Sequence, residues 1–151
     1  MLFRSANSFV DTLRPDDRAM VIDFDDKVFL VQDLTHSHED LKAAITSTEA
    51  IGGTAIYDVL HATYRKIGKL EGRKAIVLLS DGEDTSSLVD FDEVLELAKR
   101  SDTVIYTIGL RSRDIRTRRG FREADFVLRQ LAQETGGRSF FPERVEDLAA
   151  I

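Results

Sequence analysis

Two short runs, Ala75-Ile76-Val77-Leu78-Leu79 and Val104-Ile105-Tyr106-Thr107-Ile108, constrain the fold of this chain more than any other feature. Neither alternates cleanly between polar and apolar residues, which is the signature of a strand covered on both faces. Between them, Asp90 and Glu93 are spaced as a capping box opening a helix through Arg100. Buried strands joined by a helix-length crossover run parallel, so the pattern predicts a mainly parallel sheet with helices on both sides.

The remaining segments fit that plan. Phe3, Ala6, Phe9, Val10 and Leu13 recur at helical spacing until Pro15-Asp16-Asp17 breaks the pattern. Ala19 to Phe24 reads as a buried strand, Asp25-Asp26 as a turn, and Lys27 to Val31 as the returning, antiparallel edge strand. Ser37 and Asp40 look like a capping box for a helix reaching about Thr48. Gly52-Gly53 marks a loop, and Thr54 is placed to cap a helix from Ala55 to about Gly68. A long helix from about Arg122 should stop at Gly136-Gly137, followed by a short strand at Ser139-Phe140-Phe141. The expected architecture is one three-layer α/β/α, Rossmann-like domain over residues 1–151, without internal repeats or a linker.

Composition narrows the partners. A net charge of −6 opposes general affinity for nucleic acid, because a polyanion repels an acidic surface. One basic segment runs against it: Arg111, Arg113, Arg116, Arg118, Arg119 and Arg122. It reads either as a solvated loop and helix start or as a contact for an acidic partner. No apolar run approaches the roughly 18–20 residues of a membrane span. Met1-Leu2-Phe3-Arg4-Ser5 lacks the apolar core of a signal peptide, and the compartment stays open. The chain contains no cysteine, which excludes disulfides and thiolate metal sites.

In an open parallel sheet, ligands bind beyond the carboxyl ends of the strands. Gly52-Gly53-Thr54 brings a hydroxyl to a helix N-terminus there, and Ser80-Asp81-Gly82 puts a carboxylate at a strand exit. Singly, the first is an ordinary helix start and the second an ordinary turn. A hard cation such as Mg²⁺ wants oxygen ligands, and a hydroxyl with a carboxylate from adjacent loops meets that demand.

Taken together, Phe24-Asp25-Asp26, Gly52-Gly53-Thr54-Ala55-Ile56-Tyr57-Asp58, Leu78-Leu79-Ser80-Asp81-Gly82-Glu83-Asp84-Thr85 and Val104 to Gly109 resemble the von Willebrand factor A family, bacterial branch, over nearly the whole chain. The resemblance implies a protein-interaction or adhesion module rather than an enzyme. It also implies a metal-ion-dependent adhesion site, with Mg²⁺, Mn²⁺ or Ca²⁺ in an intact member. That site draws on an Asp-x-Ser-x-Ser loop after the first strand, a threonine that matches Thr54, and an aspartate that matches Asp81.

The chain departs from this pattern at its front. No Asp-x-Ser-x-Ser occurs in it; Asp84-Thr85-Ser86-Ser87 has the wrong spacing and follows the wrong strand. By the resemblance, the first strand and three of five side-chain ligands are missing, so the site is incomplete and no tight metal is expected. The same strand would lie between the Ala19–Phe24 and Ala75–Leu79 strands. Roughly ten unpaired buried amides and carbonyls there would cost about 1–3 kcal/mol each. Three repairs are open: direct pairing of the flanking strands, a homodimer meeting at the defect, or a strand from another polypeptide. Alternatively, the chain is the later part of a protein whose site is complete.

A second function class is a Mg²⁺-dependent phosphohydrolase of the haloacid dehalogenase type, with Asp23 and Asp25 dividing nucleophile and acid–base duties. Against it, Lys27 stands where that family has Thr or Val, and a tight hairpin follows where a crossover to a helix is needed. His36, His38 and His61 read as surface histidines. Glu83, Asp84 and Asp90 solvate or approach the Asp81 loop, and Ser80 has no identifiable base.

Overall fold

The computed structural model describes residues 2–48, 53–80, 83–109 and 118–142, with side chains described from residue 6 and, in the last segment, from residue 123. Ten elements follow in order: α1 (Leu2–Asp11), β1 (Ala19–Phe24), β2 (Val28–Thr35), α2 (His38–Ser47), α3 (Ile56–Ile67), β3 (Lys74–Ser80), α4 (Phe91–Arg100), β4 (Thr103–Gly109), α5 (Arg118–Glu134) and β5 (Ser139–Phe140).

The two apolar runs are parallel neighbours, as their patterning requires. β3 pairs with β4 in register from Lys74↔Thr103 to Ser80↔Gly109, and β5 joins the far side of β4 at Thr107↔Ser139. Strands that advance in one direction through right-handed crossovers place their connecting helices on one face. The register sets Ile76 and Leu78 level with Ile105 and Thr107, and these face the helices. Leu78 and Ile105 pack there with Ile56 and Leu60 of α3, Val94 and Leu95 of α4, and Leu128 and Leu131 of α5. The opposite face, carrying Ala75, Val77, Leu79, Val104, Tyr106 and Ile108, is more open; Tyr106 is 38% exposed.

β1 and β2 form a separate antiparallel hairpin closed at Phe24↔Val28. In its turn the Asp25 carboxylate accepts the Lys27 N–H at 2.7 Å, which holds that carboxyl below the usual carboxylate range. β2 runs on to Thr35, four residues past the expected end at Val31. Its second half, Gln32-Asp33-Leu34-Thr35, is polar enough to read as a loop, yet Thr35 pairs back to Ala19 across register irregularities in β1. The hairpin packs on α2, and α2 on α1.

Of the three repairs open to the sheet, direct pairing is not the one realised. Among the described residues β1 pairs with β2 alone and β3 with β4 alone, which leaves one side of each strand without a neighbour. α3 bridges the two sheets: it packs against β1 and β2 and shares the main apolar cluster with Ile76 and Leu78 of β3.

Local signals set most helix ends. Ser37 accepts the Asp40 N–H at 3.2 Å, and Asp90 accepts the Glu93 N–H at 2.8 Å, so both anticipated caps form. α5 begins at Arg118, four residues before the expected start, because arginines are good helix formers whatever their charge. It closes in a Schellman motif, with Gly137 N–H on the Ala132 carbonyl, Gly136 N–H on Gln133, and Gly136 at φ +79°.

Candidate functional site

Where β1 and β3 end, the hairpin turn and the connection after β3 are both hydrogen-bonded to the start of α3. The Ala55 N–H donates to the Asp25 carbonyl at 2.8 Å, which fastens the hairpin turn to the helix. On the other side the Thr85 N–H donates to the Thr54 carbonyl at 2.9 Å, and the Thr54 N–H donates to the Thr85 hydroxyl at 2.9 Å. This reciprocal pair sets the loop that follows β3 directly against Thr54. Gly53 sits so close to that loop that a Cβ there would collide with Ser86.

Thr54 is therefore positioned as the sequence suggests, at the rim and partly exposed, but it does not cap α3. The residue at the N-cap is Ala55, which has no side chain to offer. The first-turn amides are satisfied from across the site instead. The Tyr57 N–H is shared between Asp84 Oδ2 at 3.1 Å and Ser87 Oγ at 3.0 Å, and the Asp58 N–H reaches Ser87 Oγ at 3.1 Å. Ser87 in turn donates its hydroxyl to Asp84 at 2.6 Å. A negative carboxylate at a helix N-terminus also complements the macrodipole. Asp84 and the burial of the ring both push the Tyr57 phenol above its ordinary pKa, burial foremost.

Asp58 returns the favour. Its carboxylate accepts the Leu88 N–H at 3.0 and 3.1 Å and the Val89 N–H at 2.9 Å. Two carboxylates, Asp84 on the loop and Asp58 on the helix, thus each bind amides of the other element. The result is a rigid clamp between the Thr54 loop and the β3–α4 connection, with Leu88 left 96% exposed at its tip. Sequence reasoning set Asp84-Thr85-Ser86-Ser87 aside for its metal-motif spacing; the segment's work is capping. Nothing local announces it, because each partner lies about 30 residues away.

Of the other anticipated site residues, Asp81 lies outside the described residues, as do Arg111, Arg113 and Arg116; the side chains of Arg118, Arg119 and Arg122 are likewise not described. Ser80, at the β3 exit, is 6% exposed. Among the described residues no three His, Asp or Glu side chains converge as a metal site. His36 meets the Asp17 carbonyl at 3.0 Å, and His61 stands 3.8 Å from Glu93. Asp23 accepts the neighbouring Phe24 N–H at 3.0 Å while Asp25 holds the hairpin turn, so neither carboxylate faces a helix-leading crossover.

The sequence profile of the von Willebrand factor type A domain matches residues 3–151. The chain belongs to this family. Its fold agrees. The von Willebrand factor type A structure from Catenulispora acidiphila superposes with a TM-score of 0.79 at 20% identity, over 99% of this chain and 35% of that one. The von Willebrand factor domain of the type V pili tip protein Mfa5 from Porphyromonas gingivalis gives 0.76 at 14% identity, over 99% and 83%. Proximal thread matrix protein 1 from the mussel byssus, with zinc occupying its MIDAS motif, gives 0.72 at 21%, over 99% and 38%. The von Willebrand factor type A chain described here thus spans little over a third of two of these proteins. No curated protein matches it.

Proposed function

We propose that this von Willebrand factor type A domain is a non-catalytic protein-interaction module whose binding end is the rim around Thr54 and the β3 exit. The observation that carries this reading is the reciprocal Thr54–Thr85 hydrogen bonding, which fixes the hydroxyl-bearing loop against the loop that contains Asp81. The Thr54 hydroxyl and, directly after β3 in the sequence, the Asp81 carboxylate are of the oxygen-ligand types a hard cation takes. The mussel byssus protein of similar fold, whose MIDAS motif is occupied by zinc, supports looking for a metal in this chain.

With no Asp-x-Ser-x-Ser in the 151 residues, a cation here has one carboxylate and one hydroxyl for its dehydration. We therefore assign Thr54 and Asp81 to a residual, weak site, and partner binding by this chain to metal-independent contacts. The arginines at 111, 113, 116, 118 and 119 are the basic segment on an otherwise acidic chain and supply the contact for an acidic partner. Left alone, the chain is expected to pair with a second copy at the gap between β1 and β3.

Calorimetric titration with Mg²⁺ and Mn²⁺ tests the metal assignment: weak or absent heat is expected, and a micromolar site lost in Asp81→Ala and Thr54→Ala would overturn it. Sedimentation tests the pairing; a stable monomer at micromolar concentration would refute it.

A further inference from the structure

β2 borders the antiparallel hairpin, yet its apolar stretch is unguarded. Free edges are normally protected by charge, proline, a bulge or cover. Among the described residues β2 pairs with β1 alone, so its far side has no strand neighbour. Val28, Phe29, Leu30 and Val31 follow one another along it, and each is at least 36% exposed. Successive side chains of a strand point to opposite faces, so this run is bare on both faces as well as along its edge. Contiguous exposed apolar surface of this kind marks an interaction site. The nearest charges, Lys27 and Asp33, bracket the run and cancel each other, so the net charge of −6 does not oppose contact here.

The brackets decide what can pair with this edge. Two copies of one strand meet antiparallel about a two-fold axis normal to the sheet. Directly opposed residues share a face, so the axis stands on a single residue and never between two. Centred on Phe29, the ladder sets Asp25 against Asp33 and Lys27 against Val31. Centred on Val31, it sets Phe29 against Asp33. Centred on Leu30, it sets Lys27 against Asp33 and Phe29 against Val31, each twice, with Leu30 meeting its own copy. Opposite charges, and an aromatic beside a β-branched residue, are favourable cross-strand pairs, whereas like charges are unfavourable. Of these three registers the one on Leu30 satisfies every pair except Val28 against Gln32. Asp33 has room for the second cation: Lys66 Nζ stands 3.2 Å from it, and its side chain is still 64% exposed.

We propose that β2 is a self-association edge: two copies of this chain join antiparallel along residues 27–33, with the two-fold axis at Leu30, into one four-stranded sheet. The occupant is a second copy because the strand is complementary to itself in that register. An unrelated extended segment would have to bring an acid opposite Lys27 and a base opposite Asp33. The pairing also doubles a two-stranded sheet, which is marginal by itself. It uses the side of the hairpin opposite to the open side of β1, and it needs neither a cation nor the arginine segment. It therefore goes beyond the interaction reading above.

Sedimentation of the 151-residue chain through the micromolar range should show a concentration-dependent dimer, with alternate amides of 28–32 exchanging more slowly as the dimer forms. Leu30→Lys sets two ammonium groups face to face on the axis and should give a folded monomer, since the site is exposed in the single chain. Lys27→Asp and Asp33→Lys each place like charges opposite one another at both ends, and each should weaken the dimer about tenfold. Mixed in equal amounts, these two variants again oppose acid to base at both ends, so their heterodimer should form as tightly as the wild-type dimer. A role of either residue within its own chain would not produce that rescue. A wild-type monomer throughout, a dimer untouched by Leu30→Lys, or a mixture no tighter than its components overturns the proposal. Pairing at the gap between β1 and β3 would survive Leu30→Lys and protect 74–80 instead, so the two pairings fail separately.

Discussion

Tyr64 is 3% exposed in the heart of α3, and its hydroxyl has no hydrogen-bond partner within ordinary reach. Burial pushes its pKa to about 12, against an opposing pull from the nearby Ser101 hydroxyl. Because the folded value lies above the unfolded one, near 10, the neutral phenol is fully compatible with folding below pH 10. As pH rises from 10 toward 12, the unfolded chain ionises first and stability falls, by an amount on the order of 2–3 kcal/mol for a shift of this size. Tyr64→Phe should abolish this alkaline loss and leave stability at pH 7 unchanged or slightly improved, since it deletes an unpaired buried hydroxyl. Urea midpoints at pH 7 and at pH 11 check both halves. At Asp58, removing the carboxylate strands the Leu88 and Val89 amides. Asp58→Ala should cost about 1–3 kcal/mol, and those two amides should exchange faster than their neighbours. Asp58→Asn keeps an acceptor oxygen and should fall between. A wild-type exchange rate at Leu88 in the alanine variant would remove the clamp from the account.

The elements show where sequence reading holds and where it stops. Ser37 and Asp90 are visible as caps because donor and acceptor lie three residues apart, and the buried strands are visible because unbroken apolar runs have few other uses. β2 is understated, since its polar half gains strand character only by pairing with Ala19. Thr54 is misread as a cap because the true one, Asp84 with Ser87, comes from the next crossover. The rim is thus half readable: its residue types stand out, while the non-local bonds that order them do not. The end of α5 offers a sharp check of a readable element. Gly136 lies at φ +79°, where a side chain costs about 1 kcal/mol. At Gly137 a Cβ would run into the Ile105 carbonyl oxygen, which is backbone and cannot swing aside. Gly137→Ala should therefore destabilise by more than about 2 kcal/mol and more than Gly136→Ala. Thermal unfolding of the two variants side by side decides it; the reverse order would mean that the β4–α5 approach is looser than described.

The molecule as a whole is two half-sheets fastened by one helix. The larger half, β3–β4–β5 with α3, α4 and α5, holds the principal apolar cluster, including side chains at 0% exposure such as Ile56, Ile105 and Leu128. The smaller half is a hairpin whose β1 residues are all half-buried and whose β2 residues from Val28 to Val31 are exposed. Two-stranded sheets are marginal by themselves, and this one leans on α2, on α3 and on the Ala55–Asp25 hydrogen bond. Native structures open first where apolar burial is thinnest. Amides of β1 and β2 should therefore exchange through a partial opening that leaves β4 intact, at a free energy at least about 1.4 kcal/mol below global unfolding, a tenfold difference in protection. The Ile105 and Thr107 amides should exchange only with the whole domain. Low denaturant separates the two, because partial opening exposes less surface and carries a smaller m-value. Equal protection and equal denaturant dependence in both halves would mean that the gap between β1 and β3 is no mechanical boundary. The hairpin would then be as firmly part of the core as the parallel strands.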